Sequence, residues 1–320
     1  MKKERLLLVV AMALATIGAL SSCSTDDFGP DNTGEGTPDK EGKIVFDISF
    51  APTNDDGQQT RVATGTDGQF KSTWEEGDEI GVFGCFDELN DAPLKPSGNP
   101  LHNVKLTYTS GKWVGDAWWP TLADFSADND LCFFAYYPYD AAATDPTAIA
   151  FAVKTDQSNA TGGKSNYNLS DLLIANIYAD SYKRGETVKL TFHHALSLVQ
   201  VSVPSPGKGF GPNGELEVSL MARAKATSNL WYGEKLAATD NDPVAIRMQR
   251  VEDPANTTTY TYRALVPAQD FAKGSRIFRL NYKEQLFIDA PLTDGVSLAW
   301  SKVAKFTRSL PASASSSPTN

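Results

Sequence analysis

The chain has 320 residues, and its 39 acidic against 29 basic side chains leave a formal net charge of −10. Such a surface repels nucleic-acid phosphates and anionic bilayers, so neither is expected as a partner. Hydrophobic residues make up 41% of the chain, and the roughly 280 positions beyond the N-terminal leader suffice for one large or two ordinary cores.

Met1-Lys2-Lys3-Glu4-Arg5 is a short basic opening, and Leu6 to Leu20 follows without a single charge. An apolar run of about fifteen residues is too short to span a bilayer, which takes roughly 20, so residues 1–22 have the shape of a signal peptide. Leu20-Ser21-Ser22-Cys23 resembles the bacterial lipobox, with the cut between Ser22 and Cys23 and lipid on the cysteine. Each buried CH₂ contributes about 0.8 kcal/mol, so several acyl chains on Cys23 hold firmly to an outer membrane. Residues 23–42 are rich in Asp, Gly, Thr, Pro and Glu, with Phe28 the one large apolar side chain, and predict a flexible acidic tether. Within it, Ser24-Thr25-Asp26-Asp27 resembles the surface-export signal of lipoproteins in Bacteroides-type bacteria.

Beyond the tether a period of two dominates. Ile44, Phe46, Ile48 and Phe50 alternate with polar residues, as do Val104, Leu106 and Tyr108, then Ile149, Phe151 and Val153, then Val188, Leu190 and Phe192. The habit continues through Val199, Val201 and Val203, Leu216, Val218 and Leu220, and Phe278, Leu280 and Tyr282. These are half-buried strands, and the class is all-β. Short helical turns are expected only within Leu169 to Tyr178 and Ala268 to Lys273. The Pro- and Gly-rich run from Pro204 to Gly214 breaks the pattern. It divides the chain into an N-terminal β-sandwich at 43–204 and a C-terminal one at 205–310, with 311–320 as a loose tail.

The chain offers little chemistry. His193 and His194 are neighbours, and neighbours on a strand face opposite ways, so no metal site is expected. Gly209-Phe210-Gly211-Pro212-Asn213-Gly214 has the letters of a dinucleotide loop but precedes a strand rather than a helix. No Gly-x-Ser-x-Gly elbow occurs, Asp124, Asp128 and Asp130 lack calcium-loop spacing, and no catalytic residue or cofactor is assigned. Cys85 and Cys132 each sit in an apolar strand-like run, so burial as small hydrophobes is the expectation and a disulfide the alternative. Trp113, Trp118 and Trp119 are candidates for stacking on a glycan or host ligand, with core packing as the competing role.

Four segments taken together carry a resemblance: Trp74-Glu75-Glu76-Gly77-Asp78-Glu79-Ile80-Gly81-Val82-Phe83, Phe134-Ala135-Tyr136-Tyr137-Pro138-Tyr139, Asp171-Leu172-Leu173-Ile174-Ala175, and Val188 to Leu196. In this order they resemble the fimbrillin-like family, subunits of type V pili in Bacteroides-type bacteria. The resemblance implies two transthyretin-like Greek-key β-sandwiches in tandem. It further implies export as a lipoprotein, loss of an N-terminal strand to an arginine-specific protease, and acceptance of a strand from another fimbrial subunit at the cell surface. On that pattern Ile44, Phe46, Ile48 and Phe50 form the removable strand, and Arg61-Val62 is the candidate scissile bond, with Lys183-Arg184 a competing basic site. Val296, Leu298 and Trp300, or Val303 with Phe306, are the late candidates for a donated strand, and both runs are interrupted. The stalk, tip and anchor roles stay open. The alternative is an uncleaved surface lipoprotein that binds a glycan or host ligand through the Trp113 to Trp119 region.

Overall fold

The computed structural model describes residues 42–51, 73–87, 94–121, 130–176, 180–204, 216–233, 236–240, 242–251, 258–282, 285–288 and 290–309. The signal peptide, Ser22, Cys23, Arg61, Val62, the glycine-rich run at 205–215 and the tail from 310 lie outside the described residues. The described residues are all-β. In the first part of the chain the strands are β1 (Val45–Phe50), β2 (Glu79–Phe86), β3 (Leu101–Thr109), β4 (Lys112–Gly115), β5 (Leu131–Tyr137), β6 (Ile149–Ala152), β7 (Ala160–Thr161), β8 (Lys164–Ser165), β9 (Leu173–Asn176), β10 (Thr187–His194) and β11 (Ser197–Pro204). They continue with β12 (Leu216–Ala222), β13 (Lys225–Ser228), β14 (Val244–Arg247), β15 (Gln249–Val251), β16 (Thr259–Val266), β17 (Gln269–Phe271), β18 (Phe278–Tyr282), β19 (Gln285–Ile288), β20 (Val296–Leu298) and β21 (Val303–Thr307).

A seven-stranded sheet runs in the order β1-β10-β9-β5-β2-β3-β4. Its middle strands break the alternating pattern, because every residue of β5 is buried and six of the eight in β2 are. The reason is that both faces are covered. Ile80, Val82, Phe133, Ala135 and Tyr137 enter one core with Val188, Leu190 and Phe192, while Phe83, Cys85, Cys132, Phe134 and Tyr136 enter a second core shared with the later strands. Two four-stranded sheets, β15-β16-β11-β21 and β14-β12-β18-β19, contribute to that second core, with Val199, Val201, Val218, Leu220, Phe278 and Leu280 buried in it.

The two expected helical stretches resolve differently. Asn168–Ser170 is one turn of 3-10 helix, after which the chain enters β9; Gln269–Phe271 is strand β17, paired with β20. The first stretch thus opens with a helical turn as expected and then turns to strand, while the second is a misreading of a short run that a sequence pattern cannot assign to helix or strand on periodicity alone. The 204/205 boundary falls at the end of β11, whose ladder partners are β16 and β21. Upstream of it, β6 pairs antiparallel with β13, and the buried Gln157 amide donates to Leu265 O (2.8 Å) and accepts Leu265 N–H (2.9 Å).

The segments behind the family resemblance have local structural duties. Gly77, with φ +78°, lets the chain turn so that Glu75 N–H donates to Asp78 Oδ2 at 2.8 Å. Asp78 Oδ1 then accepts the Tyr137 hydroxyl (3.2 Å) and lies 2.7 Å from Lys164 Nζ. The Tyr136 hydroxyl lies 2.9 Å from both Asn103 Oδ1 and Asp140 O, while its ring crosses the face of Gly81, where a Cβ would collide with it. Asp171, fully buried, meets His194 Nδ1 at 2.9 Å.

Candidate functional site

Strand β1 occupies a distinct place in the large sheet. It is an edge strand, it runs parallel to β10 from Val45↔Thr187 to Phe50↔Phe192, and the remaining pairings of that sheet are antiparallel. Alternation sends Val45, Asp47 and Ser49 to solvent and turns Phe46, Ile48 and Phe50 onto the first core, with Ile44 ahead of them inside it.

Three further contacts hold the start of β1. Ile44 N–H donates to Ala117 O (3.0 Å), Trp119 N–H donates to Gly42 O (2.8 Å), and Lys43 forms an isolated antiparallel bridge with Trp118. Residues 117–119 follow β4, the opposite edge of the sheet, so the two edges meet at this point and enclose the core. At the other end Ala51 N–H donates to Phe192 O at 2.9 Å.

The side chains of β1 rest on rings. Phe46 meets Phe133 edge-on at 5.9 Å, and Phe133 is flanked by Trp119 and Tyr182 at 5.7 and 5.9 Å. Phe50 stacks on Trp74 with centroids 4.5 Å apart, and Trp74 is surrounded by Trp113, Phe192 and Tyr137 at 4.9, 5.3 and 5.7 Å. Tyr182 carries no signal in the sequence, and Trp74 enters there only as the first residue of a family-like segment, with no seat assigned to it. Its place directly before the family-like turn was the available signal for Trp74.

The three indoles considered for ligand stacking do not share an exposed face. Trp119 is only 4% exposed and packs in the core, Trp113 is half-buried against Trp74 and Tyr108, and Trp118 alone is open at 44%. Of the two roles weighed for Trp119, its burial fits core packing, and the antiparallel contact with residue 42 turns it inward. Lys43 Nζ sits 5.7 Å from the Trp118 ring centroid.

Cys85 and Cys132 are directly opposite on β2 and β5, and both are buried free thiols. Burial pushes the Cys132 thiol up to about 12. His194 is held by Asp171, and no cluster of three or more potential metal ligands exists among the described residues.

A family model described as fimbrillin-like matches residues 60–317. No curated protein matches the chain. Among solved structures, a candidate cell adhesion protein from Bacteroides ovatus is 17% identical, covering 83% of this chain and 91% of its own, with a TM-score of 0.53. A candidate cell adhesion protein from Bacteroides uniformis is 19% identical over 82% of this chain and 95% of its own, with a TM-score of 0.49. A fimbrial protein from Bacteroides ovatus is 16% identical over 84% of this chain and 50% of its own, with a TM-score of 0.43. The sequence model carries the family assignment, and the first of the three structures supports the fold.

Proposed function

This chain belongs to the fimbrillin-like family, and from that premise we propose that it is an adhesion-related subunit of a cell-surface fimbria that joins its neighbours by exchanging strand β1. One observation carries the reading. β1 is an edge strand, bonded along its length to β10 alone, and its inward side chains fill a ready-made apolar trough. Removing such a strand bares a row of backbone donors and acceptors on β10 and the pockets of Ile44, Phe46, Ile48 and Phe50. An incoming strand satisfies both at once. Each large apolar side chain contributes about 1.5–3 kcal/mol on full burial, so only a comparably apolar strand replaces β1 without loss.

In this proposal the chain is exported, lipidated on Cys23 and held at the outer membrane. An arginine-specific protease then cuts between Arg61 and Val62, releasing β1 to make way for another fimbrial subunit. No enzymatic activity or cofactor enters the proposal. The rival reading, ligand stacking by three indoles, has only Trp118 freely exposed to support it.

The test is the N-terminus of the protein taken from native cell surface, by mass spectrometry. A chain beginning at Val62 supports strand removal. One beginning at acylated Cys23 together with normal fimbriae from an Arg61→Ala strain refutes it.

A further inference from the structure

The trough that holds β1 has two aromatic seats, and we infer that the strand it accepts from another fimbrial subunit carries two rings four residues apart. The inference rests on the strand-exchange reading and adds the chemistry of the incoming strand. The first seat is the edge of Phe133, flanked by Trp119 and Tyr182, where Phe46 now lies. The second is the face of Trp74, enclosed by Trp113, Tyr137 and Phe192, where Phe50 stacks with an interplanar angle of 25°. Ile44 and Ile48 occupy the alternate apolar positions before and between them.

Geometry fixes the spacing. Inward side chains recur every second residue, and four residues of strand at about 3.3 Å each place the seats roughly 13 Å apart. An occupant that runs parallel to β10, as β1 does, meets the seats in the same order. A leucine at either seat fills volume but forfeits the ring-on-ring geometry, which weakens binding about threefold to tenfold per ring.

The two late runs named as donor candidates, 296–300 and 303–306, do not meet the requirement. Trp300 and Phe306 are six residues apart, so seating one carries the other a full pleat past its place. Val296 and Leu298 bring aliphatic side chains where the first seat asks for a ring. The trough therefore selects a strand of the form aliphatic-x-ring-x-aliphatic-x-ring, and the runs between 296 and 306 are not of that form.

The experiment uses the mature full chain with a site-specific protease sequence in place of residues 57–60, so that nicking does not depend on Arg61. The nicked protein is challenged with synthetic ten-residue peptides, and native mass spectrometry reads replacement of the β1 fragment. The two-ring peptide is expected to displace β1 about threefold to tenfold more effectively, per ring, than the same peptide with leucine at that seat. A peptide with rings six apart, and the chain's own segment 294–309, should perform as single-ring strands. Trp74→Leu should abolish the preference at the second seat and spare the first, and Trp74→Phe should keep both. Equal displacement by the leucine peptide, or by segment 294–309, overturns the inference while leaving strand exchange intact. Failure of every peptide overturns both.

Discussion

Replacing Phe50 by alanine isolates the contribution of the second aromatic seat to the hold on β1. Phe50 is half-buried, stacked at 4.5 Å on Trp74, and it ends a strand whose ladder runs to β10 alone. A fully buried Phe→Ala change costs about 3–5 kcal/mol, and half burial reduces this to about 2 kcal/mol. Because β1 is an edge element, the loss should appear as local detachment rather than global unfolding. Opening free energy lowered by about 2 kcal/mol raises the exchange rate of protected amides roughly thirtyfold. Hydrogen exchange followed by mass spectrometry should find that increase in peptides covering Val45–Phe50 and Thr187–His194, with β11 and β16 unchanged. An equal acceleration in β11 and β16 would mean that β1 is a full partner in the global fold, and the reasoning would fail.

Gly81→Ala places a Cβ against the Tyr136 ring and Asn103 Oδ1, so overpacking of about 1–3 kcal/mol should lower the melting temperature by several degrees; an unchanged melting curve would sink this account. Gln157→Ala strands the Leu265 N–H and carbonyl in a buried setting, and a loss of roughly 2–4 kcal/mol should be read from the denaturant midpoint. A loss below about 0.5 kcal/mol would show that other groups reach Leu265. Burial raises Tyr136 to about 12, and it raises Tyr137 as well. Their protonated forms are thus favoured on folding, and this stability is fully present below the ordinary value near 10. As pH climbs from there towards about 12, the unfolded phenols ionise first and stability falls by roughly 1.4 kcal/mol per pH unit for each tyrosine. Tyr136→Phe should flatten that slope by one group, measured by chemical denaturation across the alkaline range, and an unaltered slope would contradict it.

Much of the frame was legible because half-buried strands write their burial as alternation. Val188, Leu190 and Phe192 in β10, and Val199, Val201 and Val203 in β11, are inward as the pattern required. The candidate removable strand was visible for the same reason, and its parallel edge position explains why the alternation in β1 is so regular. The central strands were harder. Leu131 to Tyr137 is apolar throughout because both its faces are covered, and such a run states burial without stating which side chain faces which core. Trp119 is buried by a backbone contact with residue 42, a pairing of segments far apart in sequence that no local pattern encodes. Nothing in the residues around Gln157 marks it, and only the position of Leu265 across the fold makes its amide a structural bond.

The pairing of β6 with β13 sets an order of events for a chain that is made from its N-terminus. Every strand of the seven-stranded sheet lies between Val45 and His194, so its ladders can close before the later residues arrive. Ile149–Ala152 cannot complete its own: its partner, Lys225–Ser228, lies more than seventy positions downstream. During that interval the nascent protein presents a finished sheet beside an unfinished ladder, with Phe83, Phe134 and Tyr136 waiting for the residues that will cover them. This is the interval in which a holding chaperone has most to protect.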